Sequence, residues 1–75
     1  GSDSFQILPT VSGKIDLKEL GDSLAPLGTV TYNKFLLRFS NEETTFTLFP
    51  DGRAIIKNVK DEQKAKNIYA KYIGQ

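Results

Sequence analysis

The side chains able to do chemistry gather in a few places in this 75-residue chain. Pro50-Asp51-Gly52-Arg53 sets an acid beside a base, the pairing a carboxylate–guanidinium site would use. Arg38 stands among hydrophobes, where a guanidinium could grip a carboxylate or phosphate through paired N–H donors. Lys57, Lys60, Lys64 and Lys71 recur toward the C-terminus and could share one side of the last strand and helix, facing an acidic partner. Glu42-Glu43 are adjacent carboxylates, but paired acids divide acid and base roles only where their surroundings split their pKa values. Nothing in the local sequence does that.

Each of these has a plainer reading. Pro-Asp-Gly is turn chemistry: proline presets φ, aspartate bonds its own backbone, and glycine takes the left-handed conformation. An arginine on an apolar strand is usually solvated or paired across the sheet. The lysines interleave with Asp61 and Glu62 as a solvated face does. Tyr69 and Tyr72 fit a core stripe better than an aromatic cage. Gly13, Gly21 and Gly28 lack the spacing of a phosphate-cradling loop. The chain has no cysteine, so no disulfide, thiolate metal site or thiol nucleophile, and no histidine, the commonest general base. No catalytic, cofactor-binding or metal-binding residue emerges. Arg38, Arg53 and Lys57 remain as possible partner contacts.

Ten basic residues against nine acidic give a net charge of +1, which argues against a nucleic-acid partner. No apolar run is long enough to span a membrane, and the composition suits a cytoplasmic protein. Gly1-Ser2 reads as a cloning remnant, with residues 1–4 as tag and linker and 5–74 as a single domain. A chain this short buries only about 60% of its unfolded surface. Its five phenylalanines and three tyrosines must therefore supply much of the core. Per-residue scaling gives a stability of roughly 4–11 kcal/mol.

The elements that position these residues follow from local pattern. Ser4-Phe5-Gln6-Ile7-Leu8-Pro9 alternates and then stops at proline, a short strand with Phe5 and Ile7 inward. Thr10–Lys14 reads as a loop. Asp16 caps a helix, with Glu19 in capping-box register and Leu17, Leu20, Leu24 and Leu27 on one stripe. Gly21 costs that helix about 1 kcal/mol relative to alanine, Pro26 limits it and Gly28 releases the chain. Thr29-Val30-Thr31-Tyr32 is a strand with Val30 and Tyr32 inward. The run Phe35-Leu36-Leu37-Arg38-Phe39 puts Phe35, Leu37 and Phe39 inward, so the two runs are out of phase and a bulge or break is expected at Asn33-Lys34. Ser40-Asn41-Glu42-Glu43 and Pro50-Asp51-Gly52 then close hairpins. Phe46 and Leu48 face inward, as do Ile56 and either Ala54 or Ile55. Asp61 caps a final helix whose Ala65, Ile68, Tyr69, Tyr72 and Ile73 form an apolar face, ending at Gly74. The reading is an α+β domain of β-α-β-β-β-α order, with three or four strands between the helices. A mainly antiparallel sheet of four to five strands carries both helices on one face.

Three of these segments also carry a family resemblance. Phe35-Leu36-Leu37-Arg38-Phe39, Leu48-Phe49-Pro50-Asp51-Gly52-Arg53-Ala54 and Tyr69-Ala70-Lys71-Tyr72-Ile73-Gly74 resemble the C-terminal extension of bacterial ThiF/MoeB/HesA-type adenylyltransferases, which are ubiquitin-activating-like enzymes. Phe5-Gln6-Ile7-Leu8-Pro9 resembles the segment leaving the catalytic domain. The approach to the last helix, Asn58-Val59-Lys60-Asp61-Glu62, departs from relatives that show Gly-Thr and a proline there. The resemblance implies a parent that uses ATP and magnesium to adenylate the C-terminal glycine of a ubiquitin-like sulfur-carrier protein, in thiamine or molybdopterin synthesis. It also implies that the nucleotide loop, the acidic metal-binding residue and the zinc cysteines lie in the preceding domain. The fragment is then expected to be inactive, with that domain and the carrier as partners. An autonomous interaction module, pairing through an edge such as Thr29–Tyr32, is the alternative. A ubiquitin-like fold is excluded, since such folds end in a strand and a Gly-Gly tail, whereas this chain closes with a helix and Gly74-Gln75.

If Gly52 has positive φ, Gly52→Val strains the hairpin. A thermal melt at the wild-type temperature would contradict the turn.

Overall fold

Turn chemistry fixes where each strand starts and stops. The computed structural model describes residues 4–9 and 13–74. The expected cloning remnant and most of the expected Thr10–Lys14 loop lie outside the described residues. The elements run β1 (Ser4–Ile7), α1 (Leu17–Leu24), a single 3-10 turn (Ala25–Leu27), β2 (Thr29–Tyr32), β3 (Leu37–Ser40), β4 (Thr45–Leu48), β5 (Ala54–Lys57) and α2 (Glu62–Tyr72). Between β2 and β3, the Asn33 side-chain oxygen accepts from the N–H groups of Phe35 (2.7 Å) and Leu36 (3.1 Å). The Asn33 N–H donates to the Leu36 carbonyl at 2.9 Å. Between β3 and β4 the device repeats. Asn41 accepts from Glu43 (2.8 Å) and Thr44 (2.9 Å), and its N–H donates to the Thr44 carbonyl. Between β4 and β5, Asp51 accepts from the Arg53 N–H, and Gly52 has φ 99°, the left-handed backbone a side chain would oppose.

These turns make β2 to β5 a continuous antiparallel meander, and β1 closes on β5, giving a five-stranded sheet of order β1-β5-β4-β3-β2. The phase conflict between the two runs is thus resolved by a break at Asn33-Lys34, one of the two expected outcomes, in the form of a hairpin loop over residues 33–36 rather than a bulge. Phe35, expected inward, sits in that loop and is 66% exposed. The loop residues turn instead of pairing, so the strand's inward set begins at Leu37.

Register then sorts the side chains. Tyr32, Leu37, Leu48, Ala54 and Ile7 lie in one cross-strand row, and Val30, Phe39, Phe46, Ile56 and Phe5 in the next. Strand side chains alternate between faces, so both rows share a face. The six central members, Leu37, Phe39, Phe46, Leu48, Ala54 and Ile56, have no exposed surface. Ala54 with Ile56 is therefore the inward pair of β5, and Ile55 is turned to the other side.

Both helices cover that face, as expected. On α1, Leu17 and Leu24 are buried and Leu20 packs against the core. Gly21 lets the helix approach the sheet: an added Cβ would sit 3.2 Å from Tyr32, 3.3 Å from Val30 and 3.4 Å from Leu37. The Asp16 carboxylate caps the first turn through the Glu19 N–H (3.1 Å). Leu27, expected on the helical stripe, falls in the 3-10 turn beyond Pro26 and is 54% exposed, because the changed pitch carries it off the stripe. Gly28 follows where only glycine fits, since a Cβ would overlap the Ser40 carbonyl oxygen.

On α2, Asp61 caps the start by accepting from the Lys64 N–H at 2.7 Å, so the absent proline leaves the helix properly begun. Asn58 before it takes φ 62°, a backbone that asparagine tolerates, and Val59 beside it is buried. Ala65, Ile68 and Tyr69 are buried, with Tyr72 and Ile73 packed against the core. The Tyr72 ring lies 5.2 Å from Phe39 and 6.0 Å from Phe46, whose own rings are 5.2 Å apart. The buried Tyr69 hydroxyl donates to the Gly52 carbonyl at 2.6 Å, tying the helix to the β4–β5 turn.

Phe46 has no exposed surface and packs its ring, tilted, against both Phe39 and Tyr72. Phe46→Ala is expected to cost about 3–5 kcal/mol in urea-induced unfolding, a large part of the stability of so small a domain. A loss below about 1 kcal/mol would mean the core is not packed this way.

Candidate functional site

Covering one face of the sheet leaves the other face bare. Its strand positions form two rows, Thr31, Arg38, Thr47, Ile55 and Gln6, then Thr29, Ser40, Thr45, Lys57 and Ser4. Threonine dominates because it suits a pleated, wet surface. Arg38 and Lys57 are exposed, and neither row contains a carboxylate. At the turn end the same alternation continues to Leu36 and Phe49, both half-buried, and to Arg53. Phe49 and Arg53 are linked by a backbone hydrogen bond of 2.8 Å. The Arg53 guanidinium stacks on the Phe49 ring at 5.2 Å and donates to Asp51 at 2.7 Å. The Asp51 carboxyl is held below its ordinary range, first by the Arg53 N–H and further, against some desolvation, by the Arg53 side chain.

The possible contact residues thus fall together on one face, with different freedom. Arg53 is held by Asp51 and Phe49, whereas Arg38 and Lys57 enter no ion pair among the described residues. The lysines do not share one side. Lys57 lies on the bare face, away from α2, because β5 alternates and Ile56 takes the covered side. Lys71 belongs to a different cluster.

That cluster is what sequence reasoning missed. Glu43 is not isolated: it accepts from the Tyr72 hydroxyl at 2.6 Å and from the Lys71 ammonium at 2.9 Å. Asn41 donates to the Tyr72 hydroxyl at 3.0 Å and to the Leu27 carbonyl at 3.3 Å. The β3–β4 turn is therefore latched to the last turn of α2. The partners lie 28 and 29 residues away in sequence, beyond any local pattern. The matching spacing of Asn33 and Asn41 was a readable sign of the two similar turns. The apolar Leu36 and Phe49 on the bare face had no such sign.

A groove of about 430 Å³ runs between the start of α1 and the β2–β3 turn, lined by residues including Ile15, Lys18, Tyr32, Lys34 and Pro50. Its polar groups are engaged elsewhere. Asp16 caps the helix, Lys18 pairs with Asp22 at 3.3 Å, and Lys34 lies over the Phe35 ring. Among the described residues, no group of three or more His, Cys, Asp or Glu is placed to hold a metal ion. No helix among them is long and apolar enough to cross a membrane.

Comparison with known proteins bears out the resemblance seen in the sequence. The chain is 35% identical over 75 residues to the sulfur carrier protein ThiS adenylyltransferase of Bacillus subtilis (strain 168). The match covers 99% of this chain and 22% of that relative, so the chain spans about a fifth of the length of the curated relative it matches. It is similar to a portion of a ThiF-type enzyme, consistent with a C-terminal domain. No family model matches, and no solved structure matches.

The latch titrates. Glu43 is held below its ordinary range, first by the Tyr72 hydrogen bond and then by Lys71. Lys71 is raised, chiefly by its hydrogen bond to Glu43. The depressed Glu43 contributes stability above its unfolded value, about 4.3, and loses it as pH falls through the lower folded value. The raised Lys71 contributes fully below its unfolded value, about 10.4, and loses it as pH climbs through the higher folded value. Wild type should therefore melt above Glu43→Gln at neutral pH, with the gap closing as the solution is acidified below about pH 4. A gap unchanged in acid would remove Glu43 from the latch.

Proposed function

We propose that this chain is the C-terminal, non-catalytic domain of a ThiF-type adenylyltransferase, whose substrate is a ubiquitin-like sulfur-carrier protein. The parent joins the carrier's C-terminal glycine to AMP from ATP in thiamine biosynthesis, with molybdopterin synthesis as the related alternative. Support comes above all from the 35% identity running through 99% of the chain to an enzyme named for ThiS adenylylation. ATP, magnesium and zinc are what the resemblance implies for the parent, and the reading carries none of their binding residues onto this chain. The reading assigns that chemistry to the parent's other polypeptide.

The domain serves its parent by docking the carrier or by supporting assembly with the adenylyltransferase domain. Packed helices on one side and a bare, cationic sheet face on the other are what a docking appendage needs. A cytoplasmic enzyme is the natural setting for this chemistry. A second reading, an autonomous interaction module, draws on β2 being an edge strand that β-augmentation could extend.

The test is ATP–pyrophosphate exchange with a ThiS-type carrier, comparing the 75-residue chain with its full-length parent. Exchange is expected from the parent and none from the chain. Exchange by the isolated chain would overturn the reading.

A further inference from the structure

The sheet order leaves β2 with β3 on one side and an open edge on the other. Such an edge is a row of unpaired backbone groups, which proteins usually guard with a charge, a proline or a bulge. β2 reads Thr29-Val30-Thr31-Tyr32 and pairs residue for residue with β3, so it carries none of these. The hydrogen bonds on its inner side tell which groups are open. The Asn33 N–H donates to the Leu36 carbonyl, and hydrogen-bonded and non-bonded pairs alternate from there. The backbones of Thr31 and Thr29 are therefore turned to β3, whereas the N–H and C=O of Val30 and Tyr32 point outward. Apolar surface collects along the same edge. Leu27 before β2, Tyr32 at its end and Phe35 after it are three of the four large hydrophobes exposed among the described residues. A single exposed hydrophobe is ordinary, but a row of them marks an interaction surface.

Resting on the β-augmentation reading above and naming its occupant, we infer that β2 pairs with β2 of a second copy of this chain in a two-fold dimer. An axis normal to the sheet through Thr31 runs the two strands antiparallel. Val30 of each copy then lies opposite Tyr32 of the other, and four hydrogen bonds pair every outward group in both strands. The covered faces fall on the same side, so Val30 and Tyr32 also meet as a cross-strand side-chain pair. Leu27 of each copy comes to the end where the other carries Phe35. The helices leave room for this. A Cβ on Gly21 would meet Val30 and Tyr32 of β2 and Leu37 of β3, so α1 lies between those strands. Two such helices stand about 10 Å apart across the axis, the ordinary spacing of packed helices. Their facing flanks are self-complementary. Lys18 lines the groove beside Tyr32 and Lys34, and Asp22 lies 3.3 Å from it on that flank, while Glu19 and Ser23 line the opposite one. The helices run antiparallel across the axis, so Lys18 of each copy faces Asp22 of the other. Exposed charges orient such a pair more than they tighten it, and the association is weak.

The test is sedimentation equilibrium of the 75-residue chain at concentrations up to about 1 mM. Wild type is expected to pass from monomer to dimer as concentration rises. Thr31→Lys sets two lysines against each other on the axis and should raise the dimer Kd about fivefold. Thr31 is exposed, so the melting temperature of the dilute variant should match wild type. Lys18→Asp should weaken the dimer by placing acid against acid, and adding Asp22→Lys should restore it, a recovery that marks contact between copies. A chain that stays monomeric throughout overturns the second copy as occupant. If the amides of β2 in that monomer shift with a ThiS-type carrier, the augmentation reading survives the loss, and if they do not, both fall. A dimer that Thr31→Lys leaves as tight as wild type, or that the charge exchange fails to restore, overturns β2 as the contact.

Discussion

Burial on a single side of the sheet is the constraint from which the rest of this structure follows. A strand sends alternate side chains to opposite faces, and a chain this short has helices enough to cover only one. Phe39 and Phe46 meet across β3 and β4, and Tyr72 of α2 closes over them. Aromatic rings bury more area per residue than any other side chain, so a small core is best built around them. The strand rows opposite that cluster are mostly threonine and serine, with Gln6, half-buried Ile55 and two free cations among them.

What holds the helices in place is only partly apolar. Tyr69 and Tyr72 each put a ring into the core and a hydroxyl onto a turn, Tyr69 on the Gly52 carbonyl and Tyr72 on the Glu43 carboxylate. The two tyrosines therefore fix α2 against both ends of the sheet through groups a phenylalanine lacks. Burial raises the Tyr69 pKa, with the nearby Asp51 charge adding to it, so the hydroxyl stays a donor. The same residues that read as a plain hydrophobic stripe thus set the helix in register with β3, β4 and β5.

The division between faces sorts the charged side chains as well as the apolar ones. The helices take one face, and the strand rows of the other hold Arg38 and Lys57 and no carboxylate. Arg38 and Lys57 owe their availability to the pleat. A one-residue slip of either strand would turn them into the core and expose its aromatics.

By itself, the sequence determined the strands, the capped helices, the Pro-Asp-Gly turn and the inward set of β3 and β4, because these depend on neighbours a few residues apart. It also carried the family likeness, in segments now seen to be a strand, a hairpin and a helix end. Local pattern failed where a competing local device won, as when the Asn33 turn took Phe35 out of its strand and Pro26 took Leu27 off its stripe. Tertiary structure alone decided the phase of Ile55 and Ile56, since adjacent isoleucines satisfy either register until β4 pairs with them. It alone gave Glu43 its partners and brought Arg38, Arg53 and Lys57 onto one face, since those relations join segments far apart in the chain. Such contacts exist only once the sheet has assembled, and no local spacing encodes them.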